Sequence, residues 1–183
     1  DMEGSRGLGD VYKRQGEYIL DKIIFATGFD ALTGSILKLN ITGKKGINLS
    51  KFWSKGPKSF LGLLVPNFPN LFIVSGPGSP SVLTNVPVQI EQHVNWITNC
   101  IKYLEKNRKK SIETTNLAAK KWQKEIMNSV KKTLFMKAKS SWYKGDNIPG
   151  KPKTFLPYPG GMPKYKNVCL KVEKNKYKEL KIS

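Results

Sequence analysis

Arginine, histidine and cysteine are all scarce in this chain of 183 residues, and each scarcity excludes something. His93 is the lone histidine, so a multi-histidine metal centre is out. Cys100 and Cys169 lie far apart without CxxC spacing, which argues against a disulfide framework and against a zinc site. Both are expected to be small, reduced residues. Arg6, Arg14 and Arg108 are the arginines, against 29 lysines. Nucleic-acid readers lean on arginine for bidentate contacts to phosphate and guanine. The net charge of +19 is therefore expected to be lysine spread over solvated faces, with no nucleic-acid partner. No apolar run approaches the roughly 18 residues of a membrane helix, so no membrane span is expected. No secretory signal pattern opens the chain, and a cytoplasmic location is expected. The dinucleotide fingerprint GxGxxG is absent.

What is present is enough for a packed core: 39% hydrophobic and 10% aromatic residues. Residues 1–15 differ in texture. They hold two of the arginines, sum to zero charge and lack apolar periodicity. Asp10-Val11-Tyr12-Lys13-Arg14-Gln15 back-translates to the transposon end used in sequencing-library preparation. This stretch is read as a disordered sequencing scar outside the fold.

From Gly16 onward the pattern alternates strand and helix signals. Residues 17–25 predict a buried strand ended by Thr27-Gly28, and Leu71–Val74 predicts a second. Phe60–Val65 is a further short strand candidate, and residues 40–60 read as irregular with a hairpin. A helix is expected from Pro87, with Ile90, Val94, Ile97, Ile101 and Leu104 as its apolar stripe. The lysine run 106–110 suits that helix's end. Ser111 is the expected cap of a second helix with Ala119, Trp122, Ile126 and Val130 inside. From Ser140 the prolines and glycines predict an irregular, aromatic tail that packs on a partner surface.

The main chemical signal is strand, loop, helix: Leu71–Val74, then Gly76-Pro77-Gly78-Ser79-Pro80-Ser81, then the helix. Ligands in open α/β sheets sit where such loops and helix N-termini present free N–H groups. By itself this is also an ordinary connection.

Three segments in order sharpen the reading. They are Ala26-Thr27-Gly28-Phe29-Asp30, the run from Gly76 through Asn85 to Ile97, and Ser141-Trp142 through Pro152 followed by Tyr158-Pro159-Gly160-Gly161 and Tyr165. Together they resemble the C-terminal portion of Baeyer–Villiger monooxygenases of the cyclohexanone, phenylacetone and steroid type. The resemblance spans Gly16 to the end, and the segment Trp142 to Pro152 is its most specific part.

The resemblance implies an α/β fold: a partial FAD/NAD(P)-binding, Rossmann-like flavoprotein with two C-terminal helices and a Pro/Gly-rich tail. Residues 16–30 would be the last strand and linker from an NADP domain, 31–139 the C-terminal part of an FAD domain, and 140–183 a tail on the cofactor and substrate region. It implies the cofactors FAD and NADP, and a ketone and O2 as substrates. Ala26, Thr27 and Gly28 resemble the interdomain linker. Ser81, Val82 and Leu83 resemble the loop lining the substrate pocket. Thr84, Asn85 and Val86 resemble the stretch beside the flavin ring, with valine at 86 where many relatives carry Met or Leu. Trp142 resembles the mobile-loop tryptophan that contacts NADP. Asp146 stands where relatives usually carry alanine. No catalytic residue is assigned, and His93 is read as an ordinary helix histidine. The phosphate-binding loops, the FxGxxxHxxxW signature and the NADP-domain arginine are absent, so the piece alone is expected to be inactive and to require missing N-terminal domains. Two rivals remain: a flavin monooxygenase acting on nitrogen or sulfur, and a basic module binding nucleic acid or an anionic surface.

Overall fold

A computed structural model describes residues 21, 22, 24, 30–138 and 141–183. The strand expected over 17–25 lies almost wholly outside them, as do residues 1–15 and the linker Ala26, Thr27 and Gly28.

Two single-turn helices, α1 (Gly34–Leu37) and α2 (Leu49–Phe52), come first. They flank a small antiparallel bridge, Thr42 to Asn48, that matches the expected hairpin. The long helix α3 follows (Val86–Lys106), then strand β1 (Ile112–Thr114), α4 (Asn116–Val130), α5 (Met162–Lys174) and strand β2 (Leu180–Ile182). The mixed helix and sheet content agrees with a partial α/β fold.

Local chemistry explains the helix starts. Asn85 caps α3 by accepting the Val88 N–H at 3.2 Å, and Pro87 sits in the first turn, where its missing N–H costs nothing. Thr115, not Ser111, caps α4: its hydroxyl accepts the Ala118 N–H at 3.0 Å. Ser111 is taken up by pairing with Ser183, because β2 returns antiparallel to β1 with Ile112 opposite Ile182. The expected inner face of α4 is correct, since Ala119, Trp122, Ile126 and Val130 are all buried.

The face of α3 is not the expected one. Gln89, His93, Trp96, Cys100 and Leu104 are buried, while Ile90, Val94 and Ile101 are exposed. The polar side chains go inward because partners await them. The Trp96 Nε1–H, for instance, donates to the Cys169 carbonyl at 3.1 Å, joining α3 to α5.

Leu71–Val74 is not a buried strand either. It makes one bridge, Leu64 to Phe72, and one bond from the Ile73 N–H to the Leu63 carbonyl at 2.9 Å. Phe60–Val65 turns back on itself, bridging Phe60 to Leu64 through left-handed Leu61 and Gly62. The tail is not irregular throughout. Pro163 falls in the first turn of α5, where proline is tolerated, and Met162–Lys174 then holds no further proline or glycine. The tail packs on its own chain: Phe155, Tyr158 and Tyr165 join one core with Leu61, Trp96, Trp122 and Ile126.

A second, smaller core holds Leu49, Trp53, Val65 and Phe68. Glu113 ties it to β1. Its carboxylate pairs with Lys44 and accepts the Asn67 N–H at 3.0 Å. Burial opposes ionisation of Glu113, but these partners and the charge of Lys181 outweigh it and hold the carboxyl below its usual range.

Candidate functional site

The loop Gly76–Pro80 is buried along its whole length, which is unusual for a connection. Its backbone polar groups need partners, and these come from several sides. The Trp122 Nε1–H donates to the Gly78 carbonyl at 2.9 Å from α4. The Gly78 N–H donates to the Leu156 carbonyl at 2.6 Å, and the Tyr158 N–H to the Ser79 carbonyl at 2.7 Å. The Ser59 hydroxyl donates to the Pro77 carbonyl at 2.5 Å. From α3, the Gln89 side-chain amide donates to the hydroxyls of Ser75 and Ser79 at 3.0 and 3.3 Å.

Below the loop, Gly62 meets it backbone to backbone. At φ +71°, a Cβ on Gly62 would stand 2.4 Å from the Ser79 nitrogen and 2.9 Å from the Gly76 oxygen. Only glycine fits this approach.

His93 completes the clamp. It is fully buried, and its Nδ1 accepts the Ser75 N–H at 3.1 Å. That acceptor role leaves the proton on Nε2, which donates to the Tyr165 oxygen at 2.8 Å. The Tyr165 hydroxyl in turn donates to the Leu61 carbonyl at 2.6 Å. Burial pushes the His93 pKa down to about 4, so the ring is neutral near pH 7. Burial likewise raises the Tyr165 phenol well above its usual range. His93 is thus a structural histidine, as its sequence setting suggested.

The clamped loop delivers its last residues outward. Ser81 is buried and left-handed at φ 51°, Val82 is exposed, and Leu83, Thr84 and Val86 are half-buried. Asn85 is exposed at the N-terminus of α3, a helix with no acidic residue in its first turn. The Val86 N–H has no backbone acceptor among the described residues.

Trp142 lies half-buried in a 3-10 turn, Trp142–Lys144, with its ring edge-on to Tyr143 at 5.5 Å. The turn is joined to the loop through one residue. The Leu156 N–H donates to the Tyr143 carbonyl at 2.7 Å, and the Leu156 carbonyl accepts from Gly78. Asp146 pins the turn's start by accepting the Ser141 N–H and pairing with Lys144 at 2.9 Å. Burial works against the Asp146 charge, yet those two partners keep its carboxyl below the usual range. Lys151 reaches Asp30, so the Trp142 segment is tied to the residue that follows Ala26–Phe29.

The structure therefore gathers Ser81 to Val86 on one surface and connects Trp142 to it through Leu156. Ala26, Thr27 and Gly28 lie outside the described residues. Gln89, Trp122, Tyr158 and Lys151 were not singled out as site residues by the sequence. Trp122 stood only as a core residue, and nothing in its spacing shows the bond to Gly78.

No family model matches the chain. Among the described residues no helix is long and apolar enough to cross a membrane, and no metal-holding cluster occurs. The chain is 40% identical over 163 residues to cyclohexanone 1,2-monooxygenase of Acinetobacter sp, matching 88% of this chain and 30% of that enzyme. It is 39% identical over 150 residues to the phenazine N-monooxygenase PhzNO1 of Lysobacter antibioticus, matching 82% of this chain and 27% of that enzyme. In three dimensions it superposes on cyclohexanone monooxygenase from Rhodococcus sp. Phi1 bound to NADP+, with a TM-score of 0.87 and 37% identity, over 93% of this chain and 32% of that one.

The likenesses share one class: monooxygenases with solved structures such as that of OTEMO in complex with FAD and NADP, on part of which this chain superposes. Within it, the chain is a relative of the Baeyer–Villiger monooxygenases over about nine-tenths of its own length, and it spans about three-tenths of theirs.

Proposed function

We propose that this chain is the flavin- and ketone-facing piece of a Baeyer–Villiger monooxygenase dependent on FAD and NADPH. The whole protein inserts one atom of O2 beside a ketone carbonyl, giving an ester or lactone. The observation that carries this reading is the clamped loop Gly76–Ser81, which holds Val82 to Val86 at a fixed position beside a helix N-terminus.

The residues fit the flavin. An electron-rich ring edge suits the open Val86 N–H and the positive end of α3, which no carboxylate in its first turn compensates. FAD, when bound, supplies oxygen activation with electrons from NADPH. The chain's own residues position and exclude. Thr84, Asn85 and Val86 face the flavin ring. Ser81, Val82 and Leu83 form the wall of the ketone pocket, and the two apolar side chains keep water from it. Trp142 offers a flat indole and one N–H to NADP. Ala26, Thr27 and Gly28 form the linker by which the chain enters the FAD domain. The catalytic groups belong to the part of the protein that this chain does not represent. The chain works in the cytoplasm.

A second reading, oxygenation of nitrogen or sulfur, is favoured by the likeness to a phenazine N-monooxygenase. Both are tested by joining this chain to the portion of the Acinetobacter enzyme that it does not match. The expected result is bound FAD, NADPH oxidation that depends on a cyclic ketone, and a lactone product. Oxygenation of an N-heteroarene or sulfide with ketones untouched would establish the second reading. Bound FAD with neither product would overturn both.

A further inference from the structure

The segment that carries Trp142 folds back on itself. The Thr154 N–H donates to the Lys144 carbonyl at 2.9 Å and the Leu156 N–H to the Tyr143 carbonyl at 2.7 Å, so residues 145–153 form a lobe closed at its base. Leu156 fixes that base to the clamped loop. At the far end the Lys151 N–H donates to the Ile148 carbonyl at 3.2 Å, and from this turn the Lys151 side chain leaves the lobe. Its ammonium pairs with the Asp30 carboxylate and donates to the Ala31 carbonyl at 3.3 Å, partners that lie 121 and 120 residues away in sequence.

An ion pair on an open surface contributes little. This one is enclosed. The Lys151 side chain is 10% exposed. Its stem lies over Gly145, which is left-handed at φ 71° and where an added Cβ would come within 3.4 Å of the Lys151 Cδ and Cε. Asp30 is backed by the buried Gly34, on which a Cβ would stand 2.8 Å from the Asp30 Oδ2. The Gly34 N–H also donates to the Asp30 carbonyl at 3.2 Å. A carboxylate held from behind and an ammonium held along its stem lose little further freedom on meeting. Removing the carboxylate leaves a nearly buried ammonium without its counter-charge.

Trp142 is thus held from two directions. Leu156 ties its turn to the loop that ends in Ser81–Val86, and Lys151 ties its lobe to residue 30, next in sequence to Ala26–Phe29. The indole itself stays half-buried.

We propose that Lys151 and Asp30 are a positioning pair that holds Trp142 in place for the nicotinamide cofactor. They act through the backbone of residues 142–151, not by touching the cofactor. The proposal rests on the reading of this chain as part of an NADPH-dependent monooxygenase.

The first measurement uses the chain itself. Trp53, Trp96 and Trp122 are buried, so acrylamide quenching of tryptophan fluorescence reports chiefly on Trp142, and Trp142→Phe supplies the background. Lys151→Met and Asp30→Asn should each raise the quenching of Trp142 at least about twofold, and the double variant should go no further than either. Lys151→Arg, which keeps the charge, and Lys153→Met, on an exposed neighbour, should match the parent. Circular dichroism should be the same throughout. The second measurement joins the chain to the unmatched portion of the Acinetobacter enzyme. There Lys151→Met should raise KM for NADPH about fivefold or more, with bound FAD and kcat at saturating NADPH within about twofold of the parent. A pair that only stabilises the fold would lower FAD content and kcat together. Lys151→Arg should keep the parental KM. Unchanged quenching, additive effects of the two substitutions, or an unchanged KM for NADPH would each overturn the proposal. A joined protein that binds FAD and oxidises no NADPH, with quenching raised as stated, would instead sink the functional reading and leave the fastening of Trp142 standing.

Discussion

The imidazole of His93 accepts the backbone N–H of Ser75 at 3.1 Å, so a residue deep in α3 fixes the entry to the loop Gly76–Ser81. That bond requires an unprotonated Nδ1. The unfolded histidine titrates near 6.5, whereas the folded one is held down to about 4 by burial. Between those values the unfolded chain binds the extra proton, so stability is present above pH 6.5 and is lost as pH falls toward 4. The full loss is about 3 kcal/mol. Urea unfolding of the parent and His93→Gln at pH 7 and pH 4.5 checks this. The parent should lose more stability than the variant, whose remaining loss reports the carboxylates.

Gly62 and Gly150 both adopt left-handed backbone, but only Gly62 is crowded. Gly150→Ala should cost about 1 to 2 kcal/mol, the ordinary strain of alanine in that region. Gly62→Ala adds a clash with the Ser79 nitrogen and the Gly76 oxygen, neither of which can swing aside, and should cost clearly more. Denaturant midpoints of the two variants decide it.

Trp122→Phe keeps most of the ring stacked on Tyr158, whose centroid lies 4.9 Å away, but removes the donor to the buried Gly78 carbonyl. The orphaned carbonyl should cost about 1 to 3 kcal/mol. Amide exchange should quicken at Gly78 and Ser79 before it quickens in α5.

The readable and unreadable parts of this fold divide along one line. Where a signal is local, the sequence announces it: the interior face of α4, the start of α3 near Pro87, the reduced thiols and the solitary histidine. Where a partner distant in the chain decides, it does not. The hydrophobic period of α3 marked Ile90, Val94 and Ile101 as interior. Yet Gln89 and His93 go inside, because Ser75 and Ser79 accept from the Gln89 amide nitrogen while Ser75 and Tyr165 take both ring nitrogens of His93. Ser111 loses its expected capping role to a strand arriving from the chain's far end. The tail's prolines suppress helix only up to Pro163, which opens one. The site segments Ser81–Val86 and Trp142 were legible by resemblance, but the Leu156 bridge between them depends on two backbone bonds that no spacing encodes.

Cys100 and Cys169 are buried thiols whose pKa values are raised to about 12, chiefly by burial. Neither offers thiolate near neutral pH. A chromogenic disulfide reagent should leave both untouched in the folded chain at pH 8 and titrate both in denaturant. Rapid reaction of either without unfolding would contradict the packing described.

Asp146→Ala removes the acceptor of the Ser141 N–H and the partner of Lys144. The turn that carries Trp142 should loosen. Limited proteolysis should cut within 141–146 faster than in the parent, with the cores of α3 and α4 equally resistant in both. Asp146→Asn, which retains an acceptor, should recover part of the protection.

In the proposed function the clamped loop and the start of α3 form the flavin face. A crystal structure of this chain joined to the unmatched portion of the Acinetobacter enzyme, with FAD bound, tests it most directly. The flavin ring's edge should lie at hydrogen-bonding distance from the Val86 N–H, roughly 3 Å, with Val82 and Leu83 beside its reactive face. A flavin ring seated away from Thr84–Val86 would contradict it.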